Sequence, residues 1–205
     1  MAEALMGKRI AELSVPAAVA SAGLLEGGRT SPPEVVELMA SIGADLSERR
    51  SRQVGIDDVE RADLVLTMER RHLREVAIMT PTAWQKTFTL KELVRRGASV
   101  GGPLEDEPLD SWIARAHAGR EPADLLGEAP IDEVADPYGA GRDAYAATNV
   151  ELEGLVTQLA DLIFLPASVP PDPSAGALTP PELTPAELTP AEPPGRSPFG
   201  LVRRG

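Results

Sequence analysis

Residues 63–79 read DLVLTMERRHLREVAIM, and the change of period inside that stretch decides the fold class. DLVLTM is six residues with an apolar centre, short and continuous, as in a strand buried on both faces of a parallel sheet. RRHLREVAIM, residues 70–79, returns to helical spacing. KTFTL at 86–90 is a second short strand, and KELVRR at 91–96 opens another helix. Strands alternating with helices predict an α/β domain with a parallel sheet.

Working outward, the chain keeps that alternation. The opening residues place Leu5, Met6, Ile10 and Leu13 at helical spacing, so a first helix ends near Leu13. AAVASAGL, residues 17–24, reads as a further strand. TSPPEVVELMASIGADL, residues 30–46, reads as a helix. Ser31 is its N-cap, Pro32 and Pro33 open it, Val35, Val36, Leu38, Met39 and Ile42 form its buried side, and Gly43 stops it. GIDDVERAD is a short acidic helix. Residues 99–135 are acidic and punctuated by Gly and Pro, with one helix around LDSWIARAHA. TNVELEGLVTQLADLIF closes the domain as an amphipathic helix with Val150, Leu152, Leu155, Leu159, Leu162 and Ile163 on its apolar face.

Composition limits the function. The 205 residues carry a net charge of −12. Nucleic acid and anionic membrane surfaces both need a basic partner, so neither is expected. Lys8, Lys86 and Lys91 are the only lysines. There is no cysteine, which excludes disulfides, thiolate metal sites and a cysteine nucleophile within these residues. The two histidines, His72 and His117, do not stand at metal-ligand spacing, so neither a metal nor a cofactor is expected. No apolar run reaches transmembrane length. Ile10 to Ala22 has the outline of a signal peptide, but Glu12 and Pro16 interrupt it, and the reading is a cytoplasmic protein.

The last forty residues differ in kind. From Pro166 onward lie 11 of the 20 prolines, with LTPPE, LTPAE and LTPAE in succession from Leu178. Three short Pro-rich repeats suit neither helix nor sheet. The expected organisation is an α/β domain over 1–165 and an extended, disordered tail over 166–205. The tail is either a docking ligand for a partner protein or a plain spacer.

Catalytic motifs are few. There is no G-x-S-x-G elbow, Walker A motif or G-x-G-x-x-G loop. ERRSRQ and ERRHLRE are mixed-sign runs that read as solvent faces with i,i+4 pairs. ADPYGAGRDAY, residues 135–145, stands apart. Pro137 fixes the backbone after Asp136, and Tyr138 offers an apolar wall that favours its protonated form. Asp-Pro is also a common turn starter, so on these residues alone an acid and a turn are both open.

The order of several pieces narrows the choice. MAEAL, SAGL, LSERRSRQV, ADLVLTMERRHLREV, TFTLKELVRR and finally DPYG ahead of the closing helix follow one another in sequence. Over about 150 residues the chain resembles the low molecular weight protein tyrosine phosphatases, especially the actinobacterial kind. The resemblance implies a three-layer α/β/α fold with a short parallel sheet. It also implies hydrolysis of phosphotyrosine through a cysteinyl-phosphate, without metal or cofactor. In that family a first strand leads into a C-x5-R-S/T-P phosphate loop, and the next residues read M/I-A-E-A. Met1-Ala2-Glu3-Ala4 matches that continuation. The expectation is therefore a chain lacking the first, central strand and the phosphate loop, with their cysteine and arginine.

By position, Asp136 corresponds to the general acid that protonates the leaving phenol, and Tyr138 to a side of the substrate cleft. The family often has His where this chain has Arg49, which implies a differently ordered loop. Without a central strand, the neighbouring strands are expected to expose ladder groups costing about 1–3 kcal/mol each, so that the sheet unfolds or loosens. Three readings follow. The chain is a truncated form of a phosphatase that acts on a phosphotyrosine protein once the upstream loop is present. It is a catalytically dead binding module with a Pro-rich docking tail. Or it is a degenerate fragment without function, or a different α/β protein that shares the pattern.

Overall fold

The computed structural model describes residues 1–127 and 129–165. These belong to one compact unit, Met1–Ser168. The tail expectation over 166–205 lies outside the described residues.

Seven helices and two strands build the described unit. Helix α1 spans Ala2–Leu13 and ends where Ser14 turns left-handed at φ 54°. Helix α2 is Pro33–Ala40, and α3 is Ile56–Arg61. Strand β1, Val65–Thr67, leads to α4, Arg70–Met79. Strand β2, Thr87–Thr89, runs directly into α5, Leu90–Val100, and Thr89 Oγ1 accepts from Glu92 N–H at 3.2 Å as the N-cap. Helix α6 is Leu109–His117, and α7 is Arg142–Phe164. The strands pair in parallel with Val65, Leu66 and Thr67 opposite Thr87, Phe88 and Thr89. The parallel α/β reading of 63–96 therefore holds, with both strands at three residues.

Three local expectations are corrected. Residues 17–24 form no strand; Gly23 makes one parallel bridge to Gln53, and Ala17–Ala22 are exposed. A run of alanines offers little area to bury, and among the described residues no neighbouring strand presents a ladder to it. Helix α2 starts after Pro32 rather than at a Ser31 cap, because two consecutive prolines hold the entry extended. Val150 is 70 % exposed: it lies off the stripe of Leu152, Val156 and Leu159 that faces the core.

That core gathers Leu5 from α1, Phe88 from β2, Leu90 and Leu93 from α5, Trp112 and Ile113 from α6, and Leu152, Val156 and Leu159 from α7. Trp112 is fully buried, and its Nε1–H donates to Gly101 O at 2.8 Å, so the indole is buried without losing a hydrogen bond. A second cluster places Val35 and Met39 of α2 with Leu46 and Tyr145. Met1 and Ala4 pack against the same cluster, so it joins α1, α2 and the start of α7. No helix among the described residues is long and apolar enough to cross a membrane.

Candidate active site

Parallel α/β sheets bind ligands outside the carboxyl ends of their strands. Here the chain leaves β1, turns through Glu69 and enters α4, so Arg71 and His72 stand at that edge. They line a cleft of about 610 Å³ together with Glu3 at the start of α1, the segments 20–26 and 29–32, Arg49 to Arg52, and Asp136.

Asp136 is carried by the loop between the turn at Pro130–Asp132 and α7. Three contacts fix that loop. Val134 N–H donates to Met68 O at 2.9 Å, tying it to the end of β1. Asp132, 3 % exposed, accepts from Arg95 at 2.9–3.2 Å. Gly139 and Gly141 take φ +80° and +87°, a left-handed region that turns the chain into α7 at no Cβ cost. Asp136 itself is exposed, and its Oδ1 accepts from Tyr138 N–H at 3.0 Å, an Asx-turn contact. Tyr138 is 78 % exposed and is not among the residues lining the cleft. The structure thus brings Asp136 to the cleft and leaves the Tyr138 ring in solvent beside it.

The remaining walls are charged. Burial pushes the Glu3 carboxyl up, but hydrogen bonds from Ser21 and Arg49 outweigh it and hold the group below its ordinary range. Arg71 Nε donates to Glu69 at 2.6 Å, which raises its guanidinium. Burial lowers His72, partly offset by Glu69 and Asp136. His72 is half-buried and lines the cleft with Arg71 and Asp136.

Across the cleft, residues 23–30 are laced to 50–54. Gly23 N–H donates to Arg52 O and Val54 N–H to Gly23 O, each at 2.9 Å. Gly28 N–H to Ser51 O and Ser51 N–H to Arg29 O are both 2.8 Å. Arg52 pairs with Asp58 at 2.6 Å, and Arg49 pairs with Glu3. The runs ERRSRQ and ERRHLRE therefore do not simply face solvent: Arg49, Arg50, Arg52, Arg71 and His72 all line the cleft. Sequence periodicity gave no signal for this, because the first run is not helical and the second contributes only its first turn. No group of three or more metal-ligating side chains occurs among the described residues.

Chemically, the cleft presents the carboxylates of Glu3, Glu26 and Asp136, the His72 imidazole, and five arginines of which Arg29 and Arg50 have no carboxylate partner among the described residues. Comparison with known proteins identifies the family. The family model described as low molecular weight phosphotyrosine protein phosphatase matches residues 1–110. The probable low molecular weight protein-tyrosine-phosphatase EpsP of Ralstonia solanacearum is 37% identical over 93 residues, 45% of this chain and 62% of that protein. The chain thus spans less than two thirds of the curated relatives it matches. The crystal structure of the low molecular weight protein tyrosine phosphatase from T. tengcongensis is 28% identical, with TM-score 0.57, over 78% of this chain and 87% of that one. The YwlE arginine phosphatase from Geobacillus stearothermophilus is 25% identical, with TM-score 0.54, over 78% and 80%. Asp136 and Tyr138 lie beyond the 110 matched residues.

Proposed function

Because the chain belongs to the low molecular weight phosphotyrosine protein phosphatase family, we propose that its cleft receives the phosphorylated tyrosine of a protein. In this reading Asp136 is the acid that protonates the leaving phenolate. The observation that carries the reading is the placement of Asp136 on the cleft wall, on a loop tied to the end of β1 and opposite a set of arginines. A carboxylic acid in that position neutralises the oxygen on which charge develops as the P–O bond breaks. Tyr138 flanks the mouth and offers its ring to the substrate there.

The family reaction begins with attack by a thiolate, and the 205 residues contain no cysteine. These residues alone therefore bind the phosphoprotein without cleaving it. Joined to a preceding strand and a C-x5-R-S/T-P loop, they supply the acid side of a working phosphatase. The mixed ion-pair walls suit a water-soluble protein partner. A docking role for the proline-rich repeats from Leu178 belongs to the same proposal, as the means by which a non-cleaving form would hold its partner.

Release of inorganic phosphate from a phosphotyrosine peptide tests this. The 205-residue chain should show none above the uncatalysed background. A fusion placing the strand and phosphate loop ahead of Met1 should turn over, and its loop Cys→Ser variant should not. Turnover by the cysteine-free chain, or an inert but folded fusion, would refute the proposal. A phosphoarginine peptide in parallel decides between the two phosphorylated residues that the relatives' descriptions name.

A further inference from the structure

Arg29 and Arg50 stand on opposite sides of the backbone lacing in the cleft. Thr30 and Arg50 form an antiparallel bridge, and Ser51 both donates its N–H to Arg29 O and accepts Arg29 N–H on Oγ at 3.0 Å. Two segments twenty residues apart in sequence thus hold these arginines in fixed register. Gly27 makes the approach close: a Cβ there would lie 2.8 Å from Ser51 O and 3.1 Å from Arg52 Cα.

The other cleft arginines are neutralised: Arg49 by Glu3, Arg52 by Asp58 and Arg71 by Glu69. Among the described residues, neither Arg29 nor Arg50 has a carboxylate within ion-pair distance. Arg50 makes only long bonds, 3.3 and 3.4 Å, to the carbonyls of Arg49 and Ser47. Glu26 lies on the same loop and pairs with neither. Both residues line the cleft, and among the described residues both guanidiniums are left without a carboxylate.

We infer that Arg29 and Arg50 form a second anion subsite, which engages an acidic side chain adjacent to the phosphorylated residue of the substrate. The inference rests on reading the cleft as a phosphopeptide site, and it adds a sequence preference to it. Guanidiniums bind carboxylates through paired N–H donors, and a fixed pair selects for spacing as well as charge. Neither arginine touches the reacting atoms, so both act on specificity.

Fluorescence anisotropy on the intact 205-residue chain tests this with three labelled peptides of equal length. One has phosphotyrosine flanked by glutamates, one has phosphotyrosine flanked by alanines, and one has unphosphorylated tyrosine flanked by glutamates. The Glu-flanked phosphopeptide should bind about tenfold tighter than the Ala-flanked one, the sum of two exposed charge pairs. The gap should shrink as salt is raised. The double variant R29A/R50A, both positions being exposed, should fold normally and bind the two phosphopeptides alike. Equal binding of both phosphopeptides by the unaltered chain overturns the inference and leaves the cleft reading intact. Binding of the Glu-flanked peptide that depends on the arginines but not on phosphate keeps the subsite and overturns the phosphotyrosine reading. Failure of all three peptides to bind overturns both.

Discussion

His117 closes α6 against two aromatic rings, 5.3 Å from Trp84 and 6.3 Å from Phe88, edge to face. Arg120 lies over the same rings, its guanidinium carbon 3.8 Å from the Trp84 centroid and 4.2 Å from that of Phe88. Its charge is met by Glu92 at 2.9 Å, and both side chains are nearly fully buried. Burial brings the Arg120 guanidinium down to about 10, still fully charged at neutral pH. The buried pair anchors β2, α5 and the end of α6 to one another. Breaking such a pair by removing one partner leaves a buried uncompensated charge. His117 has a buried Nε2 without a hydrogen-bond partner, and burial, then Arg120 and Arg96, lower its pKa while Glu92 opposes them. The sign of the effect on stability follows. The unfolded chain binds a proton at His117 below about pH 6.5, whereas the folded chain resists until lower pH. The stability that neutral His117 contributes is complete above pH 6.5 and is lost as pH falls through its lowered folded value. Urea melts of the wild type and His117→Asn across pH 7 to 5 should show a shallower decline for the variant. Parallel declines would mean that His117 is not the group responsible.

Among the elements, the lacing of 23–30 to 50–54 matters most for the site, since it replaces a regular strand with a series of backbone bonds. Gly27→Ala puts a methyl against the Ser51 carbonyl and the Arg52 Cα, both backbone atoms that move only if the lacing opens. The expected cost is about 1–2 kcal/mol, as for other overpacked contacts. A thermal melt reads it, and preference for the Glu-flanked phosphopeptide should fall with it. An unchanged melt with an unchanged preference would show the lacing to be unimportant. The same scale shows what the sequence made legible. Apolar spacing in RRHLREVAIM matches α4, Arg70–Met79, residue for residue, because that helix has one buried face, Leu73 and Val76, and one charged face. DLVLTM and KTFTL both form strands, but only Thr87–Thr89 is buried throughout; Val65 and Leu66 of β1 are half-buried rather than covered on both faces. AAVASAGL misled because a strand is defined by its neighbour, and alanine periodicity cannot reveal whether that neighbour exists. The arginines of the cleft were invisible for a related reason: Arg29 and Arg50 meet only through tertiary bonds between two irregular segments.

Taken as a whole, the described unit rests on helices more than on its sheet. The main core cluster takes one fully buried side chain from a strand, Phe88, while α5, α6 and α7 supply most of the rest. The expected loosening by an unpaired ladder therefore bears on a sheet of two three-residue strands, not on the packing of Trp112, Leu93 and Leu159. Of the candidate site, DPYG was legible as a loop carrying Asp136, since Pro137 fixes the backbone after it while Gly139 and Gly141 take the left-handed turns that lead into α7. That Asp136 lines one cleft with Arg71 and His72 was not, because the tie from Val134 to Met68 spans sixty-six residues of chain. The central claim is that Asp136 is the proton donor of a phosphatase cleft. Asp136 also serves as base when water attacks the cysteinyl-phosphate, so the most direct measurement compares kcat/KM, which reports the leaving-group step, for Asp136→Asn and unaltered forms of the loop-bearing fusion on phosphotyrosine and on p-nitrophenyl phosphate. A general acid matters most where the leaving group is the more basic. The account predicts a loss of about 10²–10⁴-fold on phosphotyrosine and a distinctly smaller one on p-nitrophenyl phosphate. An undiminished kcat/KM on phosphotyrosine, or equal losses of kcat/KM on the two substrates, would contradict it.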